Sequence, residues 1–234
     1  MIAEVAQRFG GSALTYDSAA LVQRSVALRL ADMIVRHARI GASVFEVGCG
    51  TGLLTERMVH LLSPSSLTLN DVSPEMLALA RARAESAGCT NVAELVADAE
   101  SVDWPRADVV ASASAVQWFT SPLSAVARAA EALPPGGLFA VATYGPQTFR
   151  ELRGGLPSGY PSADDWEDEL RRCGFEILES ESFTRVQEFP SRTALLRMVA
   201  LTGVGTRRAG QSADALRGEW RLTWDVLLLC ARKK

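Results

Sequence analysis

The stretch Ser43–Met58, SVFEVGCGTGLLTERM, restricts the possible folds more than any other part of the chain. A short apolar run of strand character leads into glycines at 48, 50 and 52, and apolar residues at helical spacing follow. Backbone without a Cβ can turn sharply from strand to helix and lets a ligand lie against it. Such a corner belongs to an open α/β sheet, in which ligands gather at the C-terminal ends of the strands.

The rest of the chain repeats the alternation. Strand character is expected at Ser43–Val47, Ser66–Asn70, Val92–Ala97, Asp108–Ala113 and Leu138–Tyr144, with helices expected over Leu54–Leu62, Pro74–Ala87 and Pro122–Leu133. The second helix is well signed, because Ser73 suits the cap and Pro74 the first helical position. A β-α-β-α order argues a parallel sheet with helices on both faces. The segment before Ser43 reads as helical, above all Ala19–Arg39. After Tyr144 the pattern becomes helix (SADDWEDELRRCGF), strand (FEILESESF), helix (RTALLRMVAL) and strand (LTWDVLLLCAR). The last two strands are expected at the sheet edge as a hairpin, giving a seven-stranded, mostly parallel sheet.

At 234 residues with 48% apolar and 22% charged side chains, one domain with a full core is expected. It divides into an N-terminal helical cap (1–40), a ligand-binding core (41–145) and an acceptor-side part (146–234). No apolar run nears the ~18 residues of a membrane span, and the opening residues lack the order of a secretory signal, so the cytoplasm is the expected location. Cys49, Cys89, Cys173 and Cys230 stand far apart with only His37 and His60 to help, which argues against a metal site and for reduced, buried thiols. From Arg185 onward ten bases face four acids, against 14 bases and 23 acids before it. That basic end suits an acidic partner, although a solvated surface is the commoner source of such a bias.

The corner itself excludes two common ligands. A phosphate-binding P-loop needs a Lys after its last glycine, and none is present; a dinucleotide corner needs a third glycine where Leu53 stands. What remains is E-x-G-x-G-x-G, with Glu46 in front of Gly48, Cys49 and Gly50 and no basic residue from Ser43 to Glu56. A ligand with a cationic centre and no phosphate fits best, namely S-adenosylmethionine with its sulfonium. Asp71 closes the second strand 23 residues after Gly48, where a carboxylate can accept both ribose hydroxyls. Asp98 closes the third and suits the adenine amino group, with Val72, Ala99 and Met76 about the ring. Ser114, after the fourth strand, would approach the same ligand. Each acid alone is more often a helix cap or a solvated loop residue. Together, at successive strand ends, they form the class I S-adenosylmethionine-dependent methyltransferase pattern, a Rossmann-like α/β fold.

The acceptor is less directly legible. The [DN]-P-P-[YFW] turn of many nitrogen methyltransferases is absent, as is an aromatic and basic groove for nucleic acid. Neither histidine falls at a strand end to act as a base, and a carboxylate acceptor, ionised at neutral pH, needs none. The segments SASAVQWF, ATYGPQTFRELR, LLRMVALTGVG and LTWDVLLLCARKK, with the opening RFGGSALTYDSAALVQ, resemble the malonyl-acyl-carrier-protein O-methyltransferases of biotin synthesis across essentially the whole chain. The resemblance implies methyl transfer to the free carboxyl of a malonyl thioester on acyl carrier protein. It also implies that Phe9 and Tyr16 close over the cofactor. Gln117 and Trp118 are the candidate acceptor-pocket residues and Arg150 the candidate carboxylate clamp. Thr202 departs from the family, whose members often carry Lys there. Arg207 and Arg208 are candidates for meeting the acidic carrier. The alternatives are methylation of another small acid or quinone precursor, a scaffold that binds S-adenosylmethionine without turnover, and, remotely, a dehydrogenase.

Overall fold

The computed structural model describes residues 21–153, 158–202 and 220–234. In chain order the elements are α1 (Leu21–His37), β1 (Ser43–Val47), α2 (Leu53–Leu62), β2 (Ser66–Asp71), α3 (Pro74–Ser86), β3 (Val92–Val96), β4 (Val109–Ala113), α4 (Ser124–Ala132), β5 (Leu138–Tyr144), α5 (Ala163–Arg172), β6 (Phe175–Glu188), α6 (Arg192–Thr202) and β7 (Arg221–Lys233). Short 3-10 turns lie at Val116–Trp118 and Arg150–Arg153.

The seven strands form one sheet in the order β3-β2-β1-β4-β5-β7-β6. The first five are parallel, and β7 inserts antiparallel between β5 and β6. The expected late pair therefore exists, but α6 and residues 203–219 separate its strands in sequence, so no tight hairpin joins them. From β1 the chain moves outward through β2 and β3, then crosses to β4 on the other side. The crevice between the ends of β1 and β4 is thus a topological switch point, where such sheets bind ligands.

Local sequence explains the elements. β5 is buried at every residue and β1 at all but its first, as expected of strands covered on both faces. Ser73 accepts the amide proton of Met76 at the start of α3, with Pro74 following it. Ser162 and Asp165 form a reciprocal capping box on α5.

Two cores flank the sheet. One holds α1, α2 and α3 with Leu195 and Met198 of α6; the other holds α4, α5 and Trp104. Helix α1, expected as a cap, is also part of the first layer: Leu30, Met33 and Ile34 are fully buried. It is strapped to the far strand by Arg36 and His37 on Glu179, and by Arg29 on Glu181 with its guanidinium 4.8 Å from the centre of the Phe183 ring. Truncating Leu30 to Ala in that layer would cost about 2–5 kcal/mol. Cys49, Cys89 and Cys230 are buried and Cys173 is half-buried, all as free thiols.

Candidate active site

An open cavity of about 1090 Å³, mouth included, lies over the ends of β1, β2, β3 and β4. The glycine corner forms its floor. Gly48 has φ +64°, and a Cβ there would lie 2.3 Å from the Cβ of Ala115, so the corners after β1 and β4 touch only because Gly48 has no side chain. Gly50 has φ +54° with open space where its Cβ would be, and its N–H donates to Oδ2 of Asp71 at 2.9 Å. The other oxygen of Asp71 accepts from the Ser73 N–H at 3.0 Å. Asp71 thus ties the glycine corner to the start of α3. Burial pushes its pKa up, against the lowering effect of these amide donors.

Glu46 is fully buried at the end of β1, and its one hydrogen-bond donor among the described residues is the Thr55 hydroxyl at 2.6 Å. Loss of solvation raises its pKa to about 8, partly opposed by Thr55 and reinforced by the charge of Asp71. Asp98 receives the Glu100 N–H and the Ser101 hydroxyl, which folds the loop after β3. Trp104 fixes the same loop through Nε1–H to the Ala99 carbonyl. Asn70 donates twice across β3, to the carbonyls of Leu95 and Ala97, and Glu100 accepts from the Thr120 amide at 2.7 Å.

Every expected cofactor residue within the described segments lines this one cavity: the corner from Glu46 to Gly50, then Asp71, Val72 and Met76, Asp98 and Ala99, and Ser114. Phe9 and Tyr16 lie outside the described residues, as do Arg207 and Arg208. Trp118 lines the cavity, whereas Gln117 is buried beside it, its amide donating to the Ser114 carbonyl at 2.6 Å. Ser114 takes a left-handed φ of 57° and pairs its hydroxyl with that of Tyr144 at 2.9 Å. Arg150 is not among the lining residues. Its side chain is 51% exposed on the turn after β5, 3.8 Å from Glu151. The turn is held by Glu151 on the Thr223 amide and by Phe149 packed edge-on to Trp224.

Gln23, Thr55, Asn70, Glu100 and Phe119 complete the site and were not anticipated from the sequence. Asn70 had a signal, since it precedes an acid at a strand end. Thr55 and Gln23 had none, because a polar residue in a helix shows its partner only once the helix is packed. Among the described residues the lining contains four carboxylates, Glu46, Asp71, Asp98 and Glu100, and no Lys, Arg or His. Such a wall suits a cation and repels a pyrophosphate. No group of three His, Cys, Asp or Glu side chains gathers as metal ligands among the described residues.

Comparison with known proteins agrees with this geometry. Residues 44–137 match the family model described as "Methyltransferase domain". The fold is shared with a cyclopropane synthase from Mycobacterium tuberculosis (TM-score 0.58, 17% identity, 87% of this chain and 82% of that one). It is also shared with the N-methyltransferase NodS from Bradyrhizobium japonicum, solved with S-adenosyl-L-homocysteine (TM-score 0.53, 18% identity, 90% and 85%). A malonyl-acyl-carrier-protein O-methyltransferase from Bacteroides thetaiotaomicron is 32% identical over 89% of this chain and 80% of its own length. The chain belongs to the malonyl-acyl-carrier-protein O-methyltransferase family. Another protein of that name, from Paenibacillus sp., is 29% identical over 88% of this chain and 83% of its own. The "Biotin biosynthesis bifunctional protein BioCD" of Bordetella avium is 34% identical over 88% of this chain, which spans 45% of that longer relative. Membership in the malonyl-acyl-carrier-protein O-methyltransferase family accords with the acidic cavity and the glycine corner.

Proposed function

We propose that the chain methylates the free carboxyl of a malonyl thioester carried on acyl carrier protein, giving the methyl ester that primes pimeloyl synthesis for biotin. The observation that carries the methyl-donor half is the cavity wall, which among the described residues holds four carboxyl groups and no cation around a bare glycine corner. The acceptor half is supported by the names of the relatives, which specify malonyl-acyl carrier protein and biotin synthesis. No helix among the described residues is long and apolar enough to cross a membrane.

When bound, S-adenosylmethionine supplies an electrophilic methyl on a sulfonium, and the protein side chains do the positioning. Gly48, Cys49 and Gly50 present backbone at the floor, and Glu46, on giving up its proton, would offer negative charge to the cationic end. Asp71 would receive the ribose hydroxyls with the acceptor capacity that the Gly50 and Ser73 amides leave open. Asp98 would take the adenine amino group, with Val72, Met76 and Ala99 about the ring; for Phe9 and Tyr16, which lie outside the described residues, the family resemblance alone supports a role at the cofactor. Ser114 would approach the same cofactor, while Trp118, with Gln117 buried beside it on the Ser114 carbonyl, would shape the acceptor side. The Arg150–Glu151 pair is long and half-exposed, so it contributes little stability and leaves the guanidinium free to turn toward an acceptor carboxylate.

No side-chain base is required, since a carboxylic acid with pKa about 4 is already ionised at neutral pH. Rate enhancement then comes from alignment and from excluding water around the reacting pair. Esterification removes a charge that is costly to bury, so enzymes built for apolar acyl chains can accept the product.

The test is incubation with S-adenosylmethionine and malonyl-acyl carrier protein, malonyl-CoA or a succinyl thioester, with mass spectrometry of the product. A gain of one methyl on malonyl thioesters is expected, and absence of ester on every malonyl carrier refutes the proposal.

A further inference from the structure

We propose that Gln23 is a cofactor-binding residue, its amide oxygen accepting a hydrogen bond from the α-ammonium of the amino-acid end of S-adenosylmethionine. The inference rests on the methyl-donor assignment above and adds to it a residue and a ligand atom. Gln23 is the one polar residue on the buried face of α1, among Val22, Val26, Ala27 and Leu30, and it is 5% exposed. It lines the cavity together with Ala27, one turn further along the helix. Its Oε1 is buried and has no hydrogen-bond partner among the described residues. A buried acceptor in that state destabilises the protein unless something meets it, and such groups in native structures call for a specific explanation.

The ligand atom follows from placement and chemistry. Helix α1 packs against α2, β4, β5 and β7, on the β4 side of the glycine corner. Asp98, Ala99 and Val72, the adenine surroundings, lie at the opposite end, after β2 and β3. Gln23 therefore faces the amino-acid end of a ligand whose ring sits at that far side. At that end the carboxylate only accepts hydrogen bonds and the sulfonium does neither, so the ammonium is the sole donor an amide oxygen can use. Glu46 provides charge in the same half of the site, and Gln23 provides direction.

The test compares wild type with Gln23→Met, which keeps length and helix propensity but removes the acceptor. Binding of S-adenosyl-L-homocysteine and of 5′-methylthioadenosine, which lacks the amino-acid end, is measured by calorimetry. The expected result is a loss of about 10- to 100-fold for S-adenosylhomocysteine, with methylthioadenosine unchanged within about twofold. Gln23→Glu, which retains acceptor oxygens, is expected to bind S-adenosylhomocysteine more tightly than Gln23→Met. Unchanged S-adenosylhomocysteine binding, or an equal loss for both ligands, overturns the assignment while leaving the methyltransferase proposal intact. Failure of the wild type to bind either ligand overturns that proposal, and this inference with it.

Discussion

Thr55 donates its hydroxyl proton to Oε2 of Glu46 at 2.6 Å, joining the first turn of α2 to the end of β1 beneath the cavity. No cation shares the pocket lining among the described residues, so this carboxyl is uncharged near neutral pH until a positive ligand arrives.

Ligand binding should consequently follow the protonation of Glu46. Below its pKa of about 8 the cation must displace a proton. Affinity for S-adenosylmethionine is expected to rise with pH, by at most about tenfold per unit, and to level off above that point. Calorimetry in buffers of different ionisation enthalpy should show proton release at pH 6.5 and little at pH 9. Equal proton counts at both values contradict the assignment.

The same group affects stability with the opposite sign from a salt-bridged acid. Its folded pKa lies above the ordinary 4.5, so the native state holds more protons than the unfolded chain between about 4.5 and 8. Its contribution to stability is complete below that window and declines as pH rises through it, by at most about 5 kcal/mol across its width. Glu46→Gln should thus melt higher than wild type at pH 8.5 without ligand, with the difference gone at pH 4.5, and should bind S-adenosylmethionine more weakly. A Glu46→Gln melting curve parallel to wild type at all pH values counts against the buried-acid account.

Asp71→Ala removes the acceptor for two amides and, on the proposed role, for the ribose as well. A loss of about 1–3 kcal/mol in S-adenosylhomocysteine binding is expected. Unaltered affinity by titration excludes the ribose role.

Gly48→Ala drives a methyl into Ala115 and forces a left-handed backbone on an ordinary residue. Destabilisation of about 1–3 kcal/mol from the overlap alone is expected in urea melts. Adding Ala115→Gly should recover part of it, leaving the backbone strain. No recovery in the double variant means that the two corners do not meet as described.

Arg150→Ala should raise the KM for malonyl-acyl carrier protein while S-adenosylhomocysteine binding stays unchanged, as measured by steady-state kinetics and calorimetry. Ordinary kinetics in this variant transfer the clamp to another cation.

Much of this architecture was legible in the chain. The boundaries of β1 and β5 agree with the expected ones, because continuous apolar runs are what doubly covered strands require. The Ser73 cap, the glycine corner and the acids at successive strand ends are local features whose chemistry is carried by neighbouring residues. Strand β6 was legible only over its first nine residues. Its continuation from Thr184 to Glu188 is mostly exposed and polar, and it is a strand because β7 pairs with it.

What the sequence by itself determined, then, is the parallel α/β scaffold and the placing of Glu46, Asp71 and Asp98 at strand tips, since strand period, turn chemistry and charge are short-range properties. Tertiary structure alone decided that β7 slips between β5 and β6, that Thr55 shields Glu46, that Arg150 stands outside the cavity lining, and that Gln23 on α1 faces the site with an oxygen that no described residue meets. Those relationships depend on how distant segments exclude water from one another, and no local pattern of residues encodes which groups will be left without it.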